Sequence, residues 1–397
     1  MYNKNIMRVK IIDTAYGGYG IAKEGKIIFV AHSVEGDLVD ISVKKENKNF
    51  CYANINNIIE PSKYRIKAKC KYASICGGCV FNHIEYNKQL EIKKSIVLNS
   101  IRNIEYNNNN INIIKSPNEH YRLRVNMIAQ NGSIGFYKFN TNEFINIDEC
   151  VILKEKLFDK IKSFSLRNNI TGNIYAIESS NGKILSFAEI IKQNKNIDIS
   201  YFDGITIKQK KKIKKYGIDK TSYNTYFGEV PISHKSFFQS NHYLLDEFQK
   251  SAVKYFNEYD TNIVELYAGS GFFTAAIKEK LKSLNVDYKL ISSEISSDSV
   301  NIAKDIIKED AKETLKKINY NVDVLFVDPP RDGLDKKVIE NIIRIKPKKI
   351  IYISCNPMTF ARDINLLKEY YKLIDLNIID MFPDTYHIEL ISCLEIK

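Results

Sequence analysis

The stretch IYISCNPMTF, residues 351–360, ends an apolar run on Cys355 and turns at once through Asn356 and Pro357. A buried strand has no need of a thiol at its last position, whereas nucleophilic chemistry does. A lone cysteine after a strand is more often a small buried hydrophobe. Three other apolar runs, however, also end on residues suited to holding a ligand. The run TNIVELYA leads into Glu265-Leu-Tyr-Ala-Gly-Ser-Gly271. There Gly269 and Gly271 permit a tight turn and a close backbone approach to a ligand above the next helix. The second run, YKLISSE, ends on Glu294, a carboxylate placed to accept hydrogen bonds from both hydroxyls of a ribose. The third, VDVLFVD, ends in Asp328-Pro-Pro-Arg331, whose prolines stiffen the loop that follows. Asp310, in KEDAKETL, is the candidate contact on the adenine side.

If the four runs are parallel strands, Gly269, Glu294, Asp328 and Cys355 face one crevice. Near the chain end, YHIEL adds Glu389 and, as second candidate, His387. The residue three after Gly271 is Thr274, which departs from the dinucleotide spacing G-x-G-x-x-G and favours S-adenosylmethionine. Together these groups suit methyl transfer to a pyrimidine. C5 of a pyrimidine is too weak a nucleophile to attack a sulfonium methyl. A thiolate adding at C6 makes the ring an enolate and C5 nucleophilic. A base must then remove the C5 proton so that the thiolate can leave. Cys355 is the candidate nucleophile and Glu389 the candidate base, with Asp328 steadying the base edge or the cofactor. The target nucleotide must leave any stack to reach them.

The elements that position these residues follow from hydrophobic period. Apolar runs alternating with helical stretches over residues 261–394 predict a parallel sheet with crossover helices. YKLIDLNIIDMFP and HIELISCLEI lie close together with no helix between, so they predict a terminal antiparallel pair. Residues 1–60 alternate apolar and polar between Gly17-Gly18, Gly25 and Gly36, as in a small closed β-barrel of the OB type. Residues 61–225 read as mixed strands, such as SIGFYKF and ILSFAEIIK, with at least two helices, and the Asn run at 107–110 reads as a turn or surface loop.

Net charge is +12 over 397 residues. Residues 61–225 carry +14 of it, against +1 before and −3 after. A localised basic excess suits a polyanion, though a solvated Lys-rich surface would count the same. KQKKKIKK, Lys208 to Lys215, reads as a solvated hairpin or loop. No 18-residue apolar run and no apolar signal core are present, so the expectation is a cytoplasmic protein without a membrane span. Seven cysteines, an odd count, point to a reducing compartment. Cys70, Cys76 and Cys79, with Cys150 downstream, can hold zinc or an iron–sulfur cluster, and the CGGC glycines favour a cluster set against backbone.

With these motifs in order, the chain resembles the RNA uracil-C5 methyltransferases, in particular the branch that modifies 23S ribosomal RNA. GYGIAKEGKIIFV is similar to the start of that family's TRAM domain, an OB-type RNA-binding barrel. CKYASICGGCVFNHIEYNKQLEIKK carries the family's cysteine spacing, and FFQSN, ELYAGSGFF, DPPRDGL, SCNP and HIE follow in family order. The match runs nearly end to end. The resemblance implies three domains: a TRAM barrel over residues 1–60, a basic mixed α+β domain over 61–225, and a Rossmann-like methyltransferase domain over 226–397. It implies a [4Fe–4S] cluster on Cys70, Cys76, Cys79 and Cys150. It implies S-adenosyl-L-methionine contacts at Gln239, Tyr267, Phe272, Glu294 and Asp328, with Cys355 as nucleophile and Glu389 as proton acceptor. Phe272 stands where the family usually has Asn or a small polar residue, so only its backbone could contribute. Ala268 replaces a common Cys. The segment VNIAKDIIKEDAKETL is shorter than usual and reads as lacking a strand or turn. The expected protein is an α/β enzyme, monomeric, acting on 23S rRNA. The barrel and cluster favour that substrate over tRNA uridine 54, because tRNA enzymes of the group commonly lack both. A non-catalytic RNA-binding protein and an amino-methyltransferase using Asp-Pro-Pro are the rivals, and neither needs Cys355.

Overall fold

Side chains that alternate in polarity at every second residue can bury one face of a strand and solvate the other. The first sixty residues do this repeatedly. The computed structural model describes residues 6–106, 111–194 and 196–397, so the Asn run at 107–110 lies outside the described residues. The chain divides into two compact units. One holds residues 1–99, 136–145 and 382–387, and the other holds 100–135, 146–381 and 388–397. Among the described residues no helix is long and apolar enough to cross a membrane.

In the first unit β1 (Met7–Lys10), β2 (Asp13–Thr14), β3 (Gly20–Glu24), β4 (Lys26–Ala31), β5 (Leu38–Glu46) and β6 (Phe50–Glu60) form a six-stranded sheet ordered β1-β5-β6-β4-β3-β2. Both edges are occupied by residues 7–14 of one chain segment: β1 pairs with β5, and β2 pairs with β3. Its core is the period-2 set Val9, Ile11, Ala22, Ile28, Val30, Val39, Ile41, Cys51 and Ala53. Helix α1 (Tyr86–Ser100) holds residues 382–387 of the same unit, through Gln89 Nε2 to Asp384 Oδ1 at 2.8 Å and Lys93 Nζ to the Phe382 carbonyl at 3.0 Å.

The second unit starts its strands with β7 (Asn112–Ile114). Strands β8 (Arg124–Gln130), β9 (Ser133–Tyr137), β10 (Phe144–Asn146), β11 (Thr171–Glu178), β12 (Ile184–Lys192), β13 (Gly204–Gln209) and β14 (Lys212–Gly217) make a sheet ordered β10-β9-β8-β11-β12-β13-β14, of which residues 136, 137, 144 and 145 count with the first unit. Helix α2 (Glu155–Asn168) lies between β10 and β11 in sequence. The lysine run is the β13–β14 hairpin, and β14 is exposed throughout. A separate hairpin pairs β15 (Thr221–Thr225) with β16 (Gly228–Ile232), followed by α3 (Leu245–Val253).

Buried apolar runs with intervening helices then build β17 (Asn262–Leu266), α4 (Phe272–Ser283), β18 (Lys289–Glu294), α5 (Ser297–Val300), β19 (Ile306–Lys308), α6 (Ala311–Lys316), β20 (Val324–Val327), α7 (Lys336–Ile345), β21 (Lys349–Ser354), α8 (Pro357–Leu367), β22 (Tyr371–Ile379) and β23 (Glu389–Ile396). The sheet order is β19-β18-β17-β20-β21-β23-β22-β7. The first five strands are parallel, whereas β23 is antiparallel to both β21 and β22. The chain is thus an α/β fold with several mixed sheets.

Two strands differ from the sequence reading. The segment expected to lack a strand contains β19, three residues paired with Ser292–Glu294, too short to show a period. The sheet also gains β7, from residues 112–114, parallel to β22 and about 260 positions distant in sequence.

The opposite ends of these strands are fixed by Asp323. It accepts from Thr261 N at 3.0 Å, Thr261 Oγ1 at 3.0 Å and Asn262 N at 2.9 Å, and pairs with Lys348 at 2.8 Å. Burial pushes its carboxyl up, but Lys348 and these donors outweigh that and hold it at about 2. Asp323→Ala leaves those N–H groups unanswered, so urea unfolding followed by circular dichroism should show a loss of about 2 kcal/mol.

Candidate active site

Parallel strands end at one edge, so the loops after β17, β18, β20 and β21 converge there. After β17 the backbone reverses sharply, with positive φ at Tyr267 (61°), Gly269 (57°) and Gly271 (93°). A left-handed tyrosine is uncommon. Helix α4 starts directly after this turn with no side-chain cap. Gly269 N donates to Glu294 Oε2 at 3.0 Å and Ser296 N to Glu294 Oε1 at 2.7 Å, which fixes that carboxylate against the turn. A pocket of about 210 Å³ beside it is lined by Tyr267, Glu294, Asp310, Lys312, Gly333 and Asp335, among others. Asp310 serves there as the N-cap of α6, accepting from Lys312 N at 3.0 Å.

Glu265 opens the motif ELYAGSG, where nothing in the sequence marks it for a role. It is buried, its Oε2 accepts from Thr274 Oγ1 and Ser292 Oγ at 2.6 Å each, and its Oε1 has no partner among the described residues. Burial pushes its carboxyl up to about 7 against the pull of those two hydroxyls. Asp328 is pushed up to about 8, first by burial, then by Glu265 and Glu294.

Cys355 follows the last pair of the β21–β23 ladder, Ser354 opposite Leu390, so the antiparallel register sets Glu389 next to it. Cys355 is half-buried and Glu389 is buried. Burial, then Glu389 and Asp328, push the Cys355 thiol up to about 12, while Arg331 pulls the other way. Burial and Asp328 raise Glu389 well above the usual carboxyl range, again opposed by Arg331. The thiol, two acids and one guanidinium therefore share a site.

The remaining candidates fall elsewhere. Gln239 is buried in the loop before α3. The Phe272 ring packs among Phe238, Phe248 and Phe273, and its carbonyl accepts from Gln249 Nε2 at 2.6 Å. His387 lies in the first unit, edge-on to the Phe382 ring and tilted against that of Tyr386. Cys70, Cys76 and Cys79 sit half-buried in one loop of the first unit, whose Gly77 backbone abuts residues 137–139: a Cβ there would come within 3.3 Å of the Tyr137 carbonyl. Burial, with Cys70 nearby, pushes the Cys76 thiol up. Soft thiols against close-packed backbone suit iron–sulfur or zinc by donor type. As they stand, no group of three or more Cys, His, Asp or Glu converges to hold a metal ion among the described residues. Cys150 belongs to the second unit.

The model of the tRNA (uracil-5-)-methyltransferase family matches residues 312–397, the span that contains Asp328, Cys355 and Glu389. An uncharacterized RNA methyltransferase of Aquifex aeolicus is 30% identical over 424 residues, covering 98% of this chain and 99% of the relative. The chain belongs to the RNA uracil-C5 methyltransferase family. A second such relative, from Caldanaerobacter subterraneus, is 28% identical over 98% of this chain and 97% of its own length. Among solved structures, the tRNA (uracil-54, C5)-methyltransferase of Pyrococcus abyssi, in complex with S-adenosyl-L-homocysteine, superposes with a TM-score of 0.77. It is 21% identical and is covered over 98% of this chain and 100% of its own. A tRNA enzyme thus shares this fold from end to end. The N-terminal part of the fold by itself therefore does not separate rRNA from tRNA enzymes, and the expectation of an rRNA substrate rests on the cysteine spacing and the resemblance.

For this RNA uracil-C5 methyltransferase, the crevice acids carry a pH signature. Asp328 rises from 3.8 to about 8 and Glu265 from 4.5 to about 7 on folding. A raised carboxyl contributes stability that is present below its unfolded value and lost as pH rises through the folded one. The thermal midpoint should therefore fall between pH 6 and pH 8.5. Asp328→Asn should flatten that fall in calorimetry, and an unchanged slope would mean Asp328 stays ionised.

Proposed function

We propose that this enzyme methylates C5 of a uridine in RNA through the Cys355 thiolate and the Glu389 carboxylate, using S-adenosyl-L-methionine. The observation that carries the reading is the register that sets Glu389 beside Cys355 at the edge where Asp328 and Arg331 also act on both. The Cys355 sulfur forms a bond to C6, and the ring electrons shift through C5 to O4. C5 then takes the methyl group. Glu389 accepts the C5 proton, the C5–H pair restores the C5–C6 double bond, and the C6–S bond breaks with its pair returning to sulfur. The bound cofactor supplies an electrophilic methyl on a positively charged sulfur, a charge that favours ionised Cys355 and Glu389. Tyr267, Gly269, Glu294, Asp310 and Asp328 would line its site, with Gln239 and the Phe272 backbone assigned by resemblance. The six-stranded sheet of residues 7–60 is assigned to RNA, as the first of the three domains. A [4Fe–4S] cluster on Cys70, Cys76, Cys79 and Cys150 rests on spacing and resemblance, and no step of the transfer uses it.

The substrate we assign is 23S rRNA in a monomeric, cytoplasmic enzyme. tRNA uridine 54 is the second reading, supported by the end-to-end likeness to the Pyrococcus abyssi enzyme. Purified protein would be incubated with S-adenosyl-L-methionine and unmodified 23S rRNA or tRNA, and each digest examined for 5-methyluridine by mass spectrometry. We expect product in rRNA, lost in Cys355→Ala. Product only in tRNA selects the second reading. A Cys355→Ala enzyme that still makes 5-methyluridine ends the thiolate mechanism. Glu389→Gln should transfer the methyl and then stall, leaving a covalent protein–RNA adduct visible on a denaturing gel.

A further inference from the structure

One face of α8 grips the loop that carries Asp328 and Arg331. Asn356 caps this helix, accepting from Met358 N at 3.0 Å, and its Nδ2 donates to the Arg331 carbonyl at 3.1 Å. One turn on, Thr359 Oγ1 donates to the same carbonyl at 3.1 Å. Arg362 Nη2 donates to the Asp332 carbonyl at 2.8 Å. Asp363, fully buried, accepts from Leu334 N at 2.8 Å and from Tyr352 Oη, on β21, at 2.7 Å. Gly333 sits between these holds with φ at 74°, and a Cβ there would lie 2.5 Å from Asp363 Oδ2 and 2.7 Å from Arg362 Nη2. Residues 356, 359, 362 and 363 share a face by helical period. Every residue from 331 to 334 is thus either hydrogen-bonded to that face or too tightly packed against it to carry a side chain.

We infer that Asn356, Thr359, Arg362 and Asp363 are positioning residues for the reaction, holding the Arg331 backbone so that its guanidinium is set against Cys355 and Glu389. The same helix starts directly after Cys355, so one rigid element fixes both the thiol and its counter-charge. Arg331, exposed at this edge, acts on both groups and favours their ionised forms. Two hydrogen bonds converging on one carbonyl fix the Arg331 backbone, and so the point and direction from which its exposed side chain starts, whereas a loop held by a single bond would let that starting point move.

This inference rests on the assigned role of Cys355, but it is testable without methyl transfer. The probe is iodoacetamide, with full-length protein at pH 9 and alkylation of the Cys355 peptide followed by mass spectrometry. Thr359→Val removes the donor and keeps the shape; Thr359→Ser keeps the donor. Loss of the hold lowers the thiolate fraction, so Thr359→Val should slow alkylation about threefold or more, a shift of roughly half a pKa unit. Thr359→Ser should restore it. A merely structural residue gives the opposite sign, because a loosened fold exposes the half-buried thiol and speeds alkylation. Faster or unchanged alkylation in Thr359→Val, or a Ser variant as slow as Val, overturns the inference. If the alkylation pattern holds while Cys355→Ala still methylates RNA, the positioning stands and the thiolate mechanism falls.

Discussion

An exposed guanidinium beside buried and half-buried acids is the constraint on which the site depends. Glu265, Glu294, Asp328 and Glu389 all lie at one sheet edge, and burial drives three of them toward their neutral forms. Cys355 is pushed the same way by the same neighbours. A site built like this resists ionisation at rest. Positive charge entering the site favours the ionised forms of these groups, as Arg331 does for Cys355 and Glu389. The arrangement suits a cationic ligand, since such a ligand gains more from acids held in low dielectric than from acids already solvated.

The fold explains why the acids are so close. Strands β17, β18, β20 and β21 are parallel, so each delivers its last side chain to the same edge. Only β23 runs the other way, and that reversal brings Glu389 to the thiol from the start of a strand rather than the end of one. A sixth parallel strand in its place would present its amino end at the opposite edge. The antiparallel terminal pair is therefore not a decoration of the sheet: it supplies the second of the two proposed reacting groups.

The long buried strands were legible because apolar runs of four to six residues, bounded by Gly, Pro or acid, have few other uses. Cys355 was legible for a related reason, since a thiol followed by Asn-Pro stands out at the end of such a run. What was not legible lacks any local signal. Strand β19 has three residues, and β7 finds its partner far along the chain. Glu265 reads as an ordinary motif residue until burial and its unpartnered oxygen are seen. The α8 grip is invisible in sequence because Thr359, Arg362 and Asp363 sit on an unremarkable amphipathic helix, and their targets are backbone carbonyls and an amide, which no residue letter encodes.

Substrate choice within RNA is a different kind of problem. The basic excess of residues 61–225, with the exposed Lys208–Lys215 hairpin, is attraction to a polyanion, and that attraction is independent of sequence. It selects a class and not a molecule. The end-to-end fold likeness to a tRNA enzyme carries the same limit, because a fold can be shared while base contacts differ. Discrimination between two RNAs comes from groups that meet base edges and loop shape. Those contacts depend on a few side chains rather than on architecture, which is why neither net charge nor topology divides the two substrates and a digest of each RNA does.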